Sequence, residues 1–149
     1  MKTVLTCGTF DILHPGHLHV FEKAKEYGDR LVVIVARDST VKKVKGAPPY
    51  HNEYERKQML DAIKCIDKVV LGDEQDPYLI IQEIKPDVIA LGYDQLAFVD
   101  RLAKKITEFG LETQIVRMPS YREDRYKSGK IKQALGLLDF LGDETIRQV

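Results

Sequence analysis

The sequence contains no apolar run approaching the roughly 20 residues that a membrane-spanning helix requires. Its first residues also lack the basic-then-apolar pattern of a secretory signal. A cytoplasmic location and no membrane partner are therefore expected. There are only two cysteines, Cys7 and Cys65, far apart and without a Cys-x-x-Cys spacing. Neither a disulfide framework nor a zinc site is suggested, and both read as small buried hydrophobes. Net charge is absent as well, 23 Lys and Arg being matched by 23 Asp and Glu. The broad basic face that a nucleic-acid partner calls for is thus not expected. Repeats, linkers and low-complexity stretches are missing too. What remains is a chain of 149 residues, 44% hydrophobic and 31% charged, suited to one globular domain over 1–149.

Short β-rich runs alternate with helical patterns. Strands are expected at 3–6, 31–36, 68–71, 88–91 and 113–117. The second is continuously apolar, as suits a central parallel strand covered on both faces. Helices are expected at 17–27, closed by Gly28, and at 52–63, where Asn52 and Glu55 have capping-box spacing. Others are expected at 77–84 and 98–109, and a last one over about 128–141 with Ser128 at its cap. Alternation of this kind predicts an α/β, Rossmann-like, doubly wound parallel sheet of five strands in a single domain. Ligands bind such sheets at the carboxyl ends of the strands.

Residues 8–17, Gly-Thr-Phe-Asp-Ile-Leu-His-Pro-Gly-His, join the first strand to the first helix. A helix start presents unpaired N–H groups and partial positive charge, and so favours phosphate. Gly8 is expected to allow a sharp reversal, and Gly16 to let a ligand approach the helix start. His14 and His17 stand at its mouth, and modification of Cys7, just before the loop, would be able to block it. The cations are unevenly spread. Lys42, Lys43 and Lys45 form one cluster; Arg117, Arg122, Arg125, Lys127, Lys130 and Lys132, against Glu123 and Asp124, form another. Two basic loops on the strand-end rim suit a small anionic ligand.

The stretch Gly-x-Phe-Asp-x-x-His-x-Gly-His resembles the cytidylyltransferase branch of the His-x-Gly-His nucleotidyltransferases. The stretches Val35-Ala36-Arg37-Asp38, Lys42-Lys43-x-Lys45-Gly46 and Leu91-Gly92-x-Asp94-Gln95 are similar to the archaeal-type FAD synthetases. The Thr-x-Gly-Ile-Ser-Thr segment of the glycerol-phosphate and choline-phosphate enzymes is not found after Arg117. The resemblance implies adenylyl transfer from ATP to FMN, giving FAD and pyrophosphate by direct in-line attack. The alternative is a CTP-dependent enzyme acting on glycerol 3-phosphate or a similar phospho-alcohol; a nucleotide-binding regulatory protein is a more distant one. His14, His17 and Lys45 are the implied catalytic groups. Thr9, Phe10, Pro15, Gly16, Asp94 and Tyr121 would join the two histidines in nucleotide binding, and Arg117 and Arg122 would receive the acceptor phosphate. Asp94 is equally readable as a helix cap. A divalent cation, Mg²⁺, is implied, and Asp11 is open to two readings, as its ligand or as a turn cap. Arg56 is expected to pair with Glu53 rather than reach the site. Homodimers are common in that family, so a homodimer is among the expectations.

Overall fold

The apolar run at 31–35 becomes the core of a five-stranded sheet, buried at every position in the computed structural model. That structure describes residues 1–93, 95, 99–119, 131 and 133–135. The strands are β1 (Thr3–Gly8), β2 (Arg30–Val35), β3 (Lys68–Leu71), β4 (Val88–Leu91) and β5 (Gln114–Arg117). All neighbours pair in parallel, in the order β3-β2-β1-β4-β5. Between them run α1 (Pro15–Lys25), α2 (Asp38–Lys45), α3 (Glu53–Asp61), α4 (Leu79–Ile84), a 3₁₀ turn (Val99–Arg101) and α5 (Leu102–Glu108).

Side chains alternate across a strand with period two, and the core divides accordingly. Val4, Val33, Val35 and Ala90 pack with Phe21 and Ala24 of α1 and Leu60 of α3. Leu5, Val32, Ile34 and Leu91 pack on the other face with Ile81 of α4 and Leu102 and Ile106 of α5. Helices cover both faces, so the doubly wound Rossmann-like fold is present. Leucine- and phenylalanine-sized side chains buried in this way each stabilise the fold by about 1.5–3 kcal/mol.

Several boundaries differ from expectation for local reasons. Helix α1 starts at Pro15 because His14 itself caps it. Helix α2 was not expected: Ser39, Thr40, Val41 and Val44 are weak helix formers, and Val41 is its one buried residue. Helix α4 starts late because the Asp73 carboxylate accepts from the amides of Gln75 and Asp76, and Asp76 from that of Tyr78. These turns occupy the backbone that a first helical turn would use. Of the helix expected over 128–141, Ile131, Gln133, Ala134 and Leu135 are described; the first three are helical and Leu135 is in a turn.

Gly28 corrects the sequence reading. Helix α1 ends at Glu26 in right-handed geometry, so no helix-closing glycine is involved. Instead a Cβ at position 28 would lie 2.7 Å from the Lys2 carbonyl oxygen and 2.8 Å from Val4 Cγ2. Close approach to β1 is what requires glycine. Gly28→Ala should therefore lower stability by about 1–3 kcal/mol, an overpacking cost, read as a lowered Tm; an unchanged Tm would refute this packing argument.

Candidate active site

Main-chain pairing between β1 and β4 stops at Leu5–Ile89. Beyond it the Thr6 hydroxyl donates to the Ala90 carbonyl at 2.8 Å in a buried bond. From here β1 leads to α1 on one face of the sheet and β4 leads to α5 on the other. That divergence is the topological switch point at which open α/β sheets bind ligands. The loops after β1 and β4 line it.

The loop after β1 is strained. Phe10 and Ile12 have φ of 54° and 49°, unusual for bulky or β-branched residues. A Cβ on Gly8 would meet the Phe10 ring at 2.9 Å, so this glycine makes room for Phe10 rather than reversing the chain. The Phe10 ring stands edge-on to His17, with centroids 5.7 Å apart, and packs on Phe21 at 5.0 Å. An apolar shelf thus lies beneath His17.

The two histidines serve the helix start as well as facing each other. His14 has an extended backbone, and its Nδ1 accepts from Gly16 N at 3.1 Å. The Nδ1 of His17 accepts from His14 N at 3.2 Å. The rings overlap at 3.8 Å between centroids, tilted by 30°. An Nδ1 that accepts carries no proton, so each neutral ring has its proton on Nε2. Burial lowers His14 to a pKa of about 4. Burial, then His14 and the Lys45 ammonium, lower His17 to about 3, against an opposing pull from Asp11. The pair is a set of neutral Nε2–H donors at physiological pH.

Lys45 ends α2 and is half-buried, whereas Lys42 and Lys43 are exposed. Gly46, at φ 80°, stops the helix there and donates its N–H to the Lys42 carbonyl. Of the three lysines expected near the site, Lys45 is the one whose charge is felt at His17. Gly16 is buried in the first turn of α1, with exposed Pro15 before it and half-buried Thr9 at the loop entrance.

Asp11, readable from the sequence as a cation ligand or as a turn cap, accepts hydrogen bonds from a loop distant in sequence. It is 3% exposed. Its Oδ2 accepts from Tyr50 N at 2.6 Å and its Oδ1 from His51 N at 3.0 Å. It thereby straps the α2–α3 loop to the histidine loop. Among the described residues no cluster of three or more His, Cys, Asp or Glu is placed to hold a metal.

Arg56 also departs from expectation. Glu53 pairs with Arg37 at 2.6 Å and accepts from Asp38 N at 3.1 Å. Arg56, 1% exposed, donates to the His51 carbonyl from Nε (3.0 Å), to the Thr9 carbonyl from Nη1 (2.8 Å) and to Asp38 Oδ1 from Nη2 (2.8 Å). Asp38, His51 and Gln95 join the site although the sequence reading gave them no role there. An arginine in the first turns of a very polar helix was the one visible signal.

On the β4 side, the Arg117 guanidinium turns toward the main chain. Its Nη1 donates to the carbonyls of Gly92, Tyr93 and Gln95 at 2.9, 3.4 and 3.0 Å. Through Nη1 it holds the loop after β4. The Gln95 amide accepts from Gly92 N and donates to Cys7 Sγ at 3.2 Å. Burial pushes the Cys7 thiol up to about 12, which leaves it protonated and a poor nucleophile. Asp94, Tyr121 and Arg122 lie outside the described residues.

The profile of the cytidylyltransferase-like family matches residues 5–134. This chain belongs to that family. Among its curated relatives, the FAD synthase of Pyrococcus abyssi is 48% identical over 130 residues, covering 86% of this chain and 88% of the relative. The FAD synthase of Methanosarcina mazei is 49% identical over 123 residues, covering 83% and 80%. A lipopolysaccharide core biosynthesis protein from Thermoplasma volcanium has a similar crystal structure, with a TM-score of 0.76 and 42% identity over 81% of this chain and 98% of that one. The pantoate-β-alanine ligase of Francisella tularensis, at 17% identity and a TM-score of 0.58, shares the fold. In this cytidylyltransferase-like chain, two imidazole donors, a helix N-terminus and a lysine therefore converge where a phosphate chain can be held.

The pKa values carry a pH dependence. Unfolded histidine titrates near 6.5, so below that pH the unfolded chain takes up protons that folded His14 and His17 refuse until about 4 and 3. Stability from this source is complete above pH 6.5 and falls as pH drops toward 3. Side-chain NMR should show two imidazoles that stay neutral, with the proton on Nε2, from pH 8 down to pH 5. Titration of both rings near pH 6.5 would contradict the assignment.

Proposed function

We infer that this protein is an ATP:FMN adenylyltransferase, which forms FAD and pyrophosphate. The observation that carries the chemistry is the stacked His14–His17 pair, with both Nδ1 atoms occupied by main-chain amides. FAD synthases 42–49% identical over most of the chain support the choice of substrates. In the reaction an FMN phosphate oxygen attacks the α-phosphorus of ATP in line. The bond to the bridging oxygen breaks, and pyrophosphate leaves. The Nε2–H groups of His14 and His17 donate to the α-phosphoryl oxygens, on which negative charge builds. The Lys45 ammonium balances the charge of the leaving phosphates, and the positive end of the α1 dipole adds to it.

Catalysis here is positioning and charge stabilisation. Neutral imidazoles cannot supply full positive charge, but they need no deprotonation and donate across the physiological range. A divalent cation such as Mg²⁺, with Asp11 as the one carboxylate the histidine loop offers it, would offset the charge of the triphosphate. We assign Thr9, Phe10, Pro15 and Gly16 to shaping the nucleotide site, and Asp94 and Tyr121 to the nucleoside. Arg117, Arg122 and the basic residues that follow are assigned to the FMN phosphate. A cytoplasmic location goes with this reading, as does the finding that no described helix is long and apolar enough to cross a membrane.

Pyrophosphate release with Mg²⁺ should be seen with ATP plus FMN, with FAD appearing, and not with CTP plus glycerol 3-phosphate. Release with the second pair alone would replace this reading with a cytidylyl transfer. His17→Ala should lower kcat by about 10²–10³-fold, the usual cost of losing one transition-state donor, with the circular dichroism spectrum unchanged. Near-normal turnover would remove His17 from its role.

A further inference from the structure

We propose that Arg56 is a positioning residue for phosphoryl chemistry, fixing Lys45 relative to His14 and His17 without touching substrate itself. The inference rests on the nucleotidyl-transfer reading of the site and adds to it a residue buried beneath it. Its three bonds reach three separate segments. The Thr9 carbonyl belongs to the histidine loop, the His51 carbonyl to the α2–α3 loop, and Asp38 to the first turn of α2. Lys45 stands at the other end of that same helix. The Asp11 carboxylate joins the first two segments again through the amides of Tyr50 and His51. The result is a closed ring of polar bonds with the guanidinium at its centre.

Each bond uses a different N–H direction, a fork that a lysine ammonium does not reproduce. The bonded partner on α2 is a side chain near its start, and α2 is a continuous helix of eight residues, pinned to the core only at Val41. A shift of its N-terminal end is therefore carried to Lys45. On the other side, the Thr9 carbonyl precedes the strained residues Phe10 and Ile12, and a loop under strain moves when its restraints go. Displacements near 1 Å at such a site cost about a hundredfold in rate. They leave most binding contacts in place, so the loss should fall on kcat more than on KM.

The test compares Arg56→Lys with Leu60→Val, a change in the buried core of the same helix, well below both melting temperatures. Arg56→Lys is expected to lower kcat for FAD formation by about a hundredfold, with KM for ATP changed by less than about threefold. The same variant should move the His14 and His17 side-chain resonances and raise their pKa values. Leu60→Val should lower Tm while leaving kcat and those resonances alone. A kcat within twofold of wild type, or a loss carried wholly by KM, would overturn the proposal. So would unmoved histidine resonances. If Arg56→Lys does not fold, Asp38→Asn carries the test through the same two readouts, and unchanged values there reject the idea. Should the wild-type protein make no FAD, the histidine spectra still decide the role of Arg56 independently of substrate.

Discussion

A buried guanidinium holds this site together. Arg56 lies beneath the histidine loop with its N–H groups aimed at two carbonyls and a carboxylate. A charge that deep in protein is tolerated only with full hydrogen bonding. It in turn holds a loop that would not keep its shape alone. The backbone strain at Phe10 and Ile12 costs about 1–3 kcal/mol each. The charge-assisted bonds that the Asp11 carboxylate accepts from two amides, at about 1.5–3 kcal/mol each, offset it.

The electrostatics of the site follow from the same geometry. Because main-chain amides occupy both Nδ1 atoms, the rings are locked in one tautomer before any ligand arrives. Burial then keeps both uncharged, and for His17 the neighbouring His14 and Lys45 add to it. Donors fixed in this way need no reorganisation as charge develops on phosphate, which is the condition for effective transition-state stabilisation. Among the described residues, the positive charge beside the histidines comes from Lys45, at the end of a separate helix whose start is bonded to Arg56 through Asp38.

Much of the fold was legible in the residues. The apolar run at 31–35 and the alternation of strands with amphipathic stretches lead directly to a parallel sheet, because period and length decide which faces are buried. His14 and His17 were legible too, through the strand–turn–helix context of their loop. The roles of Asp11, Arg37, Arg56 and Arg117 were not. An acid in a turn reads equally as a ligand, a cap or a strap, and only the approach of Tyr50 and His51, some 40 positions away, reveals the strap. Arg56 was read as Glu53's partner because the two are near in sequence, but Glu53 meets Arg37 and Arg56 meets Asp38.

By itself, then, the sequence determined the elements, their order and the chemical groups available at one rim of the sheet. These depend on local spacing and on hydrophobic periodicity, which are written along the chain. Tertiary structure alone decided which carboxylate meets which guanidinium, which imidazole nitrogen keeps its proton, and why Gly8 and Gly28 cannot bear a side chain. Such outcomes depend on directions and distances between segments far apart in sequence. Hydrogen bonding and close packing select among partners only after the sheet has brought those segments together.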